Sequence, residues 1–166
     1  MTRTLVAGVG NVFQRDDAFG VEVIRLLDGK SRPPGVKIAD FGIRGVHLVY
    51  ELLDGCDLFV LVDVAERGCA PGTVTVLEVE PDHMPTPNGV MDAHGLAPDQ
   101  VFAMLAAMGS RPGRCLVVAC EPVDVSPGMG LSDQVRNALP AAVRAVEEIL
   151  NQVQRQEGVN NSVQPH

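Results

Sequence analysis

"TLVAGVGNVFQRDDAFG" spans Thr4 to Gly20, and its two halves point to different chemistry. Thr4 to Gly10 is a continuous apolar run ending on glycine, the pattern of a strand covered on both faces. Phe19, Val23, Leu26 and Leu27 then recur at helical spacing with Glu22 and Arg25 on the other side, which predicts a helix from about Asp17 to Leu27. A strand, a glycine-bearing turn and a helix open a nucleotide-binding βαβ unit. This turn, however, sets Asp16 and Asp17 where a phosphate would go.

Outward from that stretch, "SRPPG" (Ser31 to Gly35) breaks the chain, "VKIADF" (Val36 to Phe41) predicts a second strand, and "GVHLVYELL" (Gly45 to Leu53) a second helix. "DLFVLVDVA" (Asp57 to Ala65) reads as a third strand, fully buried. The link "ERGCAPG" to "TVTVLEV" (Thr73 to Val79) is too short for a parallel crossover, so the fourth strand is expected to be antiparallel and at an edge. A proline-rich link, Pro81 to Gly89, leads to a third helix with Pro98 in its first turn, Val101, Leu105 and Met108 on its apolar stripe and Gly109 at its stop. "RCLVVACEP" (Arg114 to Pro122) gives a fifth strand. Ser132 caps a last helix whose apolar positions, from Val135 to Val153, stay in phase across Pro140, which predicts a kink and not a break. The expected architecture is α/β, a three-layer α/β/α sandwich around a mostly parallel five-stranded sheet with one antiparallel edge strand. Residues 1–153 form one domain in this reading, and 154–166 a flexible polar tail.

The chain has 166 residues, 46% hydrophobic and 20% charged, as expected of an ordinary globular domain. No apolar run approaches the roughly 20 residues that cross a bilayer, and no signal-peptide pattern precedes the first strand, so a cytoplasmic protein without membrane contact is expected. A net charge of −8 gives no footprint for a phosphate backbone, which argues against nucleic acid as a partner. Cys56, Cys69, Cys115 and Cys120 contain no CxxC pair and are read as packing residues. Cys115 and Cys120 lie an odd number of positions apart on one strand and should face opposite sides of the sheet.

A dinucleotide site would use Gly8, Gly10 and the strand-end acid Asp40, but Phe13 replaces the third glycine, where it should obstruct helix-to-strand packing. Two carboxylates at the helix start would also repel a pyrophosphate. Asp16 has a structural explanation as a helix cap. Asp17 is then spare, and its carboxylate can face the crevice above the strand ends. Asp63 stands at the end of the buried third strand, where a carboxylate needs a partner or a solvated cleft, and His94 lies in the loop before the third helix. Two carboxylates and an imidazole suit a divalent transition metal.

The chain resembles the nickel-iron hydrogenase maturation endopeptidases. The likeness runs from about Leu5 to Leu150 and rests on "GVGNVFQRDDAFG", "DFGIRG" (Asp40 to Gly45), "LVDV" (Leu61 to Val64), "MDAHGL" (Met91 to Leu96), and "EP" followed by "GMGLS" (Gly128 to Ser132). It implies an endopeptidase that removes a C-terminal extension from the precursor of the hydrogenase large subunit after nickel insertion. The metal-binding positions of the family fall on Asp17, Asp63 and His94, and the nickel is expected to arrive on the substrate. Asp16 or Asp40 is the expected general base. Many relatives carry Gly-Gly-Thr where this chain has Phe41-Gly42-Ile43, and Glu at the position of Asp17. A non-catalytic module that checks for nickel, and a dinucleotide-binding oxidoreductase, are the competing readings.

Overall fold

The computed structural model describes residues 2–79, 98–110 and 112–162. Its elements follow in the order β1 (Thr4–Val9), a 3-10 turn (Arg15–Ala18), α1 (Phe19–Asp28), β2 (Val36–Gly42), α2 (Gly45–Leu53), β3 (Leu58–Val64), β4 (Val74–Val79), α3 (Pro98–Ala107), β5 (Arg114–Cys120) and α4 (Asp133–Ser162). The five strands form one sheet in the order β2-β1-β3-β5-β4. β1 pairs in parallel with β2 and β3, β3 pairs in parallel with β5, and β4 closes the far edge antiparallel to β5. The expected fold is borne out, antiparallel edge included.

Each face of the sheet carries its own apolar layer. Val6, Val60, Val62, Leu116 and Val118 turn toward Phe19, Val23, Ile24 and Leu27 of α1 and Val135, Val143 and Val146 of α4. Leu5, Ala7, Phe59 and Leu61 turn the other way, toward Leu48, Val49 and Leu52 of α2 and Val101 and Leu105 of α3. The period of two in the strands therefore meets helical stripes on both sides. Burying each such side chain contributes about 1.5–3 kcal/mol. Cys115 and Cys120 fall on opposite faces, as their odd spacing requires.

Two boundaries differ from the sequence reading. The helix read from Asp17 begins at Phe19, because Arg15–Ala18 form a tighter 3-10 turn first. The tail read as flexible from Gln154 is helical to Ser162, so α4 runs 30 residues, unbroken through Pro140. Glu157 on that added length accepts a hydrogen bond from the backbone amide of Thr2, which ties the two ends of the chain together. No helix among the described residues is long and apolar enough to cross a membrane.

The strand order fixes where a ligand can enter. From β1 the chain moves outward to β2 on one side, then returns past β1 to β3 on the other. The helices that make these two moves, α1 and α2, lie on opposite faces. The strand order reverses between β1 and β3, and open α/β sheets bind ligands at the carboxyl ends of the strands at such a point.

Candidate active site

Asp63 is the last residue but one of β3, and Gly8 of β1 pairs with Val62 just before it. Alternation from Phe59 and Leu61 directs Asp63 toward the α2/α3 face, and its Oδ1 accepts the amide of Val64 at 2.8 Å. Asp17 lies in the 3-10 turn between β1 and α1. Its Oδ2 accepts the amide of Asn11 at 2.8 Å, and its backbone carbonyl lies against Gly10. A β-carbon on Gly10 would fall 1.8 Å from that carbonyl oxygen, and Gly10 has a φ of 138°, so only glycine allows the loop to fold back over the end of β1.

Each acid thus accepts a backbone amide near the end of its own element, Asp17 after β1 and Asp63 in β3. His94 lies outside the described residues. Among those described, no three His, Cys, Asp or Glu side chains gather closely enough to hold an ion.

Asp16 behaves differently from its neighbour. It is 0% exposed, and neither the 3-10 turn nor α1 has a side-chain cap at its start. Its Oδ2 accepts the amides of Val123 at 2.9 Å and Asp124 at 3.0 Å and the Ser132 hydroxyl at 3.0 Å, while Oδ1 accepts the Ser132 amide at 2.7 Å. The expectation that Asp16 caps its own helix is corrected: it bonds to the β5–α4 loop, more than a hundred residues away in sequence. Burial pushes the carboxyl pKa up, but the amides of Ser132, Asp124 and Val123 and the Ser132 hydroxyl hold it below the ordinary carboxylate value. A water-excluded carboxylate with four donors cannot take a proton from water, which argues against Asp16 as general base.

Asp40 lies two residues before the end of the edge strand β2. It is exposed, its Oδ1 accepts the amide of Gly42 at 2.7 Å, and it lines an open cavity of about 330 Å³ with Arg44, just before α2, and His47, Tyr50 and Glu51 of α2. β1 separates β2 from β3, so two interstrand spacings of about 10 Å in all lie between the strand ends that carry Asp40 and Asp63.

The phosphate question is settled by the loop amides. Those of Phe13 and Gln14 donate to Asn11, that of Arg15 to Gly128, that of Asp16 to Asp124 and that of Asp17 to Gln14, besides Asn11 to Asp17. These donors, which would cradle a pyrophosphate, are already engaged within the protein. Phe13 does not obstruct the helix as expected, since it is exposed. Close packing of helix on strand falls instead to Gly20, where a β-carbon would lie 2.2 Å from the Val62 carbonyl oxygen and 2.6 Å from that of Val9.

Sequence reasoning read Ser132 as the cap of α4 but missed its bonds to Asp16. The signal lay in "GMGLS", whose glycines Gly128 and Gly130 both take positive φ, marking a loop bent to meet another. Arg15 answers it from the other side. With a φ of 49° it is the one non-glycine residue of positive φ among those described, a conformation that costs about 1 kcal/mol or more.

A family model described as hydrogenase maturation protease matches residues 21–151, which include Asp63 and His94. The chain belongs to the hydrogenase maturation protease family. It is 32% identical over 150 residues to the hydrogenase expression/formation protein HoxM of Azotobacter vinelandii, covering 88% of this chain and 71% of the relative. It superposes on the hydrogenase maturating endopeptidase HybD of E. coli with a TM-score of 0.80 at 28% identity, covering 92% of this chain and 94% of that one. A NiFe hydrogenase maturation protease from Thermococcus kodakarensis matches with a TM-score of 0.72 at 25% identity, covering 90% and 93%. Membership makes this maturation protease a hydrolase, and the oxidoreductase reading falls with the engaged loop amides.

Proposed function

We propose that the protein removes a C-terminal extension from the precursor of a nickel-iron hydrogenase large subunit once nickel is in place. In this reading Asp17, Asp63 and His94 receive the substrate-held nickel and so fix the adjoining peptide bond in the crevice. The observation that supports the reading is that Asp17 follows the carboxyl end of β1 and Asp63 stands at the carboxyl end of the neighbouring β3, in a chain of the maturation protease family. His94 precedes the first residue of α3, Pro98, by four positions, a tether of at most about 14 Å.

Two carboxylates and an imidazole form an oxygen- and nitrogen-donor set suited to a divalent transition ion. The nickel on the substrate would polarise the scissile carbonyl, and a water would attack it. Asp40 is the carboxylate left to act as general base, since Asp16 is sealed from water.

The test uses purified protein with nickel-loaded and nickel-free precursor, read by mass spectrometry of the large subunit. Loss of the extension from the loaded precursor alone is expected. Asp63→Asn and His94→Ala should abolish it, with circular dichroism unchanged. Binding of loaded precursor without shortening would assign the chain to checking for nickel and overturn the proposal.

A further inference from the structure

We infer that Asp16 is a positioning residue for Asp17: it pins the β1–α1 loop to the β5–α4 loop and thereby sets where the neighbouring carboxylate stands. The inference rests on the reading above that Asp17 belongs to the reacting centre.

The two adjacent acids diverge. Asp16 enters the loop that precedes α4, where all its partners are donors: the amides of Val123, Asp124 and Ser132 and the hydroxyl of Ser132. Asp17 folds back over β1, toward the amide of Asn11. Consecutive α-carbons are about 3.8 Å apart, so a fixed Asp16 leaves the peptide that carries Asp17 little room to shift.

The backbone around the pin is joined as well. The amide of Arg15 donates to the Gly128 carbonyl at 3.1 Å, the amide of Gly128 to the Phe13 carbonyl at 2.9 Å, and the amide of Asp16 to the Asp124 carbonyl at 3.0 Å. Arg15 lies over Gly128, where a β-carbon would come within 2.7 Å of its guanidinium carbon, and pairs with Asp124 at 3.7 Å. A cap would need none of these long-range bonds. Nor would a surface acid be fully enclosed.

The chemistry of the pin predicts its failure. Asparagine has the same shape, but its NH2 would face donors and only its one oxygen could accept. Asp16→Asn must therefore release either the Ser132 amide or the Val123 and Asp124 amides. In hydrogen exchange the released donors, either Ser132 or Val123 with Asp124, should lose protection. The amide of Asn11, which touches Asp17 and not Asp16, should exchange at least about tenfold faster as the loop shifts. On loaded precursor kcat should fall about tenfold or more while KM stays within about threefold, because misplacing a reacting group by an ångström slows the step more than it weakens docking.

Val143→Ala, in the core between α4 and the sheet, is the control for lost stability, and should leave both Asn11 exchange and kcat near wild type. If Asp16→Asn moves them no more than Val143→Ala does, Asp16 is a structural tie only and the inference is overturned. Should Asp16→Asn not fold, Ser132→Ala removes one of the four donors and should shift both readouts the same way by less. No shift in either overturns the inference equally. Exchange at Asn11 is read without substrate, so a wild-type chain that fails to shorten the precursor sinks the proposed function while this inference is still decided by exchange.

Discussion

Gly10 shows what a single residue decides at this site. Any side chain there would place a β-carbon 1.8 Å from the Asp17 carbonyl oxygen, at a φ that other residues avoid. Gly10→Ala should therefore lower stability by about 2 kcal/mol or more, read as a reduced urea midpoint, and slow cleavage of the precursor. An unchanged midpoint would mean the loop can refold around the methyl group, and with it the placement of Asp17. The buried thiols give a second residue-level test. Burial, with Cys56 nearby, pushes the pKa of Cys115 up to about 12, and burial, with Asp16 and Glu121 nearby, that of Cys120 to about 11, from 9.0. The unfolded chain thus gives up these protons first. The stability they contribute is complete below pH 9.0 and is lost as pH rises through the folded values. A maleimide at pH 8 should leave Cys115 and Cys120 unlabelled until the protein unfolds, and Cys115→Ala should flatten the alkaline fall in stability. Rapid native labelling of either thiol would contradict their enclosure. At this scale the sequence read well wherever a neighbour in the chain decided the matter, as for the opposed cysteines. It failed for Asp16 and Gly20, whose partners at Ser132 and Val62 are set by the fold and not by spacing.

Among the elements, α4 carries the clearest internal conflict. Pro140 lies within a continuous helix and can donate no amide to the carbonyl of Arg136. Its removal should restore one helical bond and relieve a clash together costing about 3 kcal/mol, against about 1 kcal/mol for the greater freedom of the unfolded chain. Pro140→Ala should then stabilise by about 2 kcal/mol, raising the melting temperature by about 4–8 °C. A lower melting temperature would show that Pro140 itself is needed to pack Val143 and Val146 on the sheet. The same helix explains why the tail was misread. Periodicity ends at Val153 because the later residues are largely exposed, yet exposed residues extend a helix already nucleated by a packed stripe. The antiparallel β4, by contrast, was legible because a short link forbids a crossover, a purely local constraint.

The whole molecule is a sheet with two separate apolar layers, and this separation is measurable. Val23 on α1 and Leu52 on α2 are both fully buried, one on each face, with the sheet between them. Layers pack about 10 Å apart, so the two side chains share no neighbour. The strand order that separates them was not legible in the sequence beyond its antiparallel edge. Only after β2 is seen to lie outside β1 does right-handed connection require α1 and α2 on opposite sides. That requirement sets the switch point between β1 and β3, and it also divides the core. Val23→Ala should cost about 1–3 kcal/mol and Leu52→Ala about 2–5 kcal/mol. In the double variant the losses should add to within about 0.5 kcal/mol, measured by urea denaturation with an unchanged slope. A coupling well beyond that would mean strain passes through the sheet from one face to the other. In that case the carboxyl ends of β1 and β3, which carry the proposed site, would be exposed to any repacking of either layer and would not stand on a rigid floor.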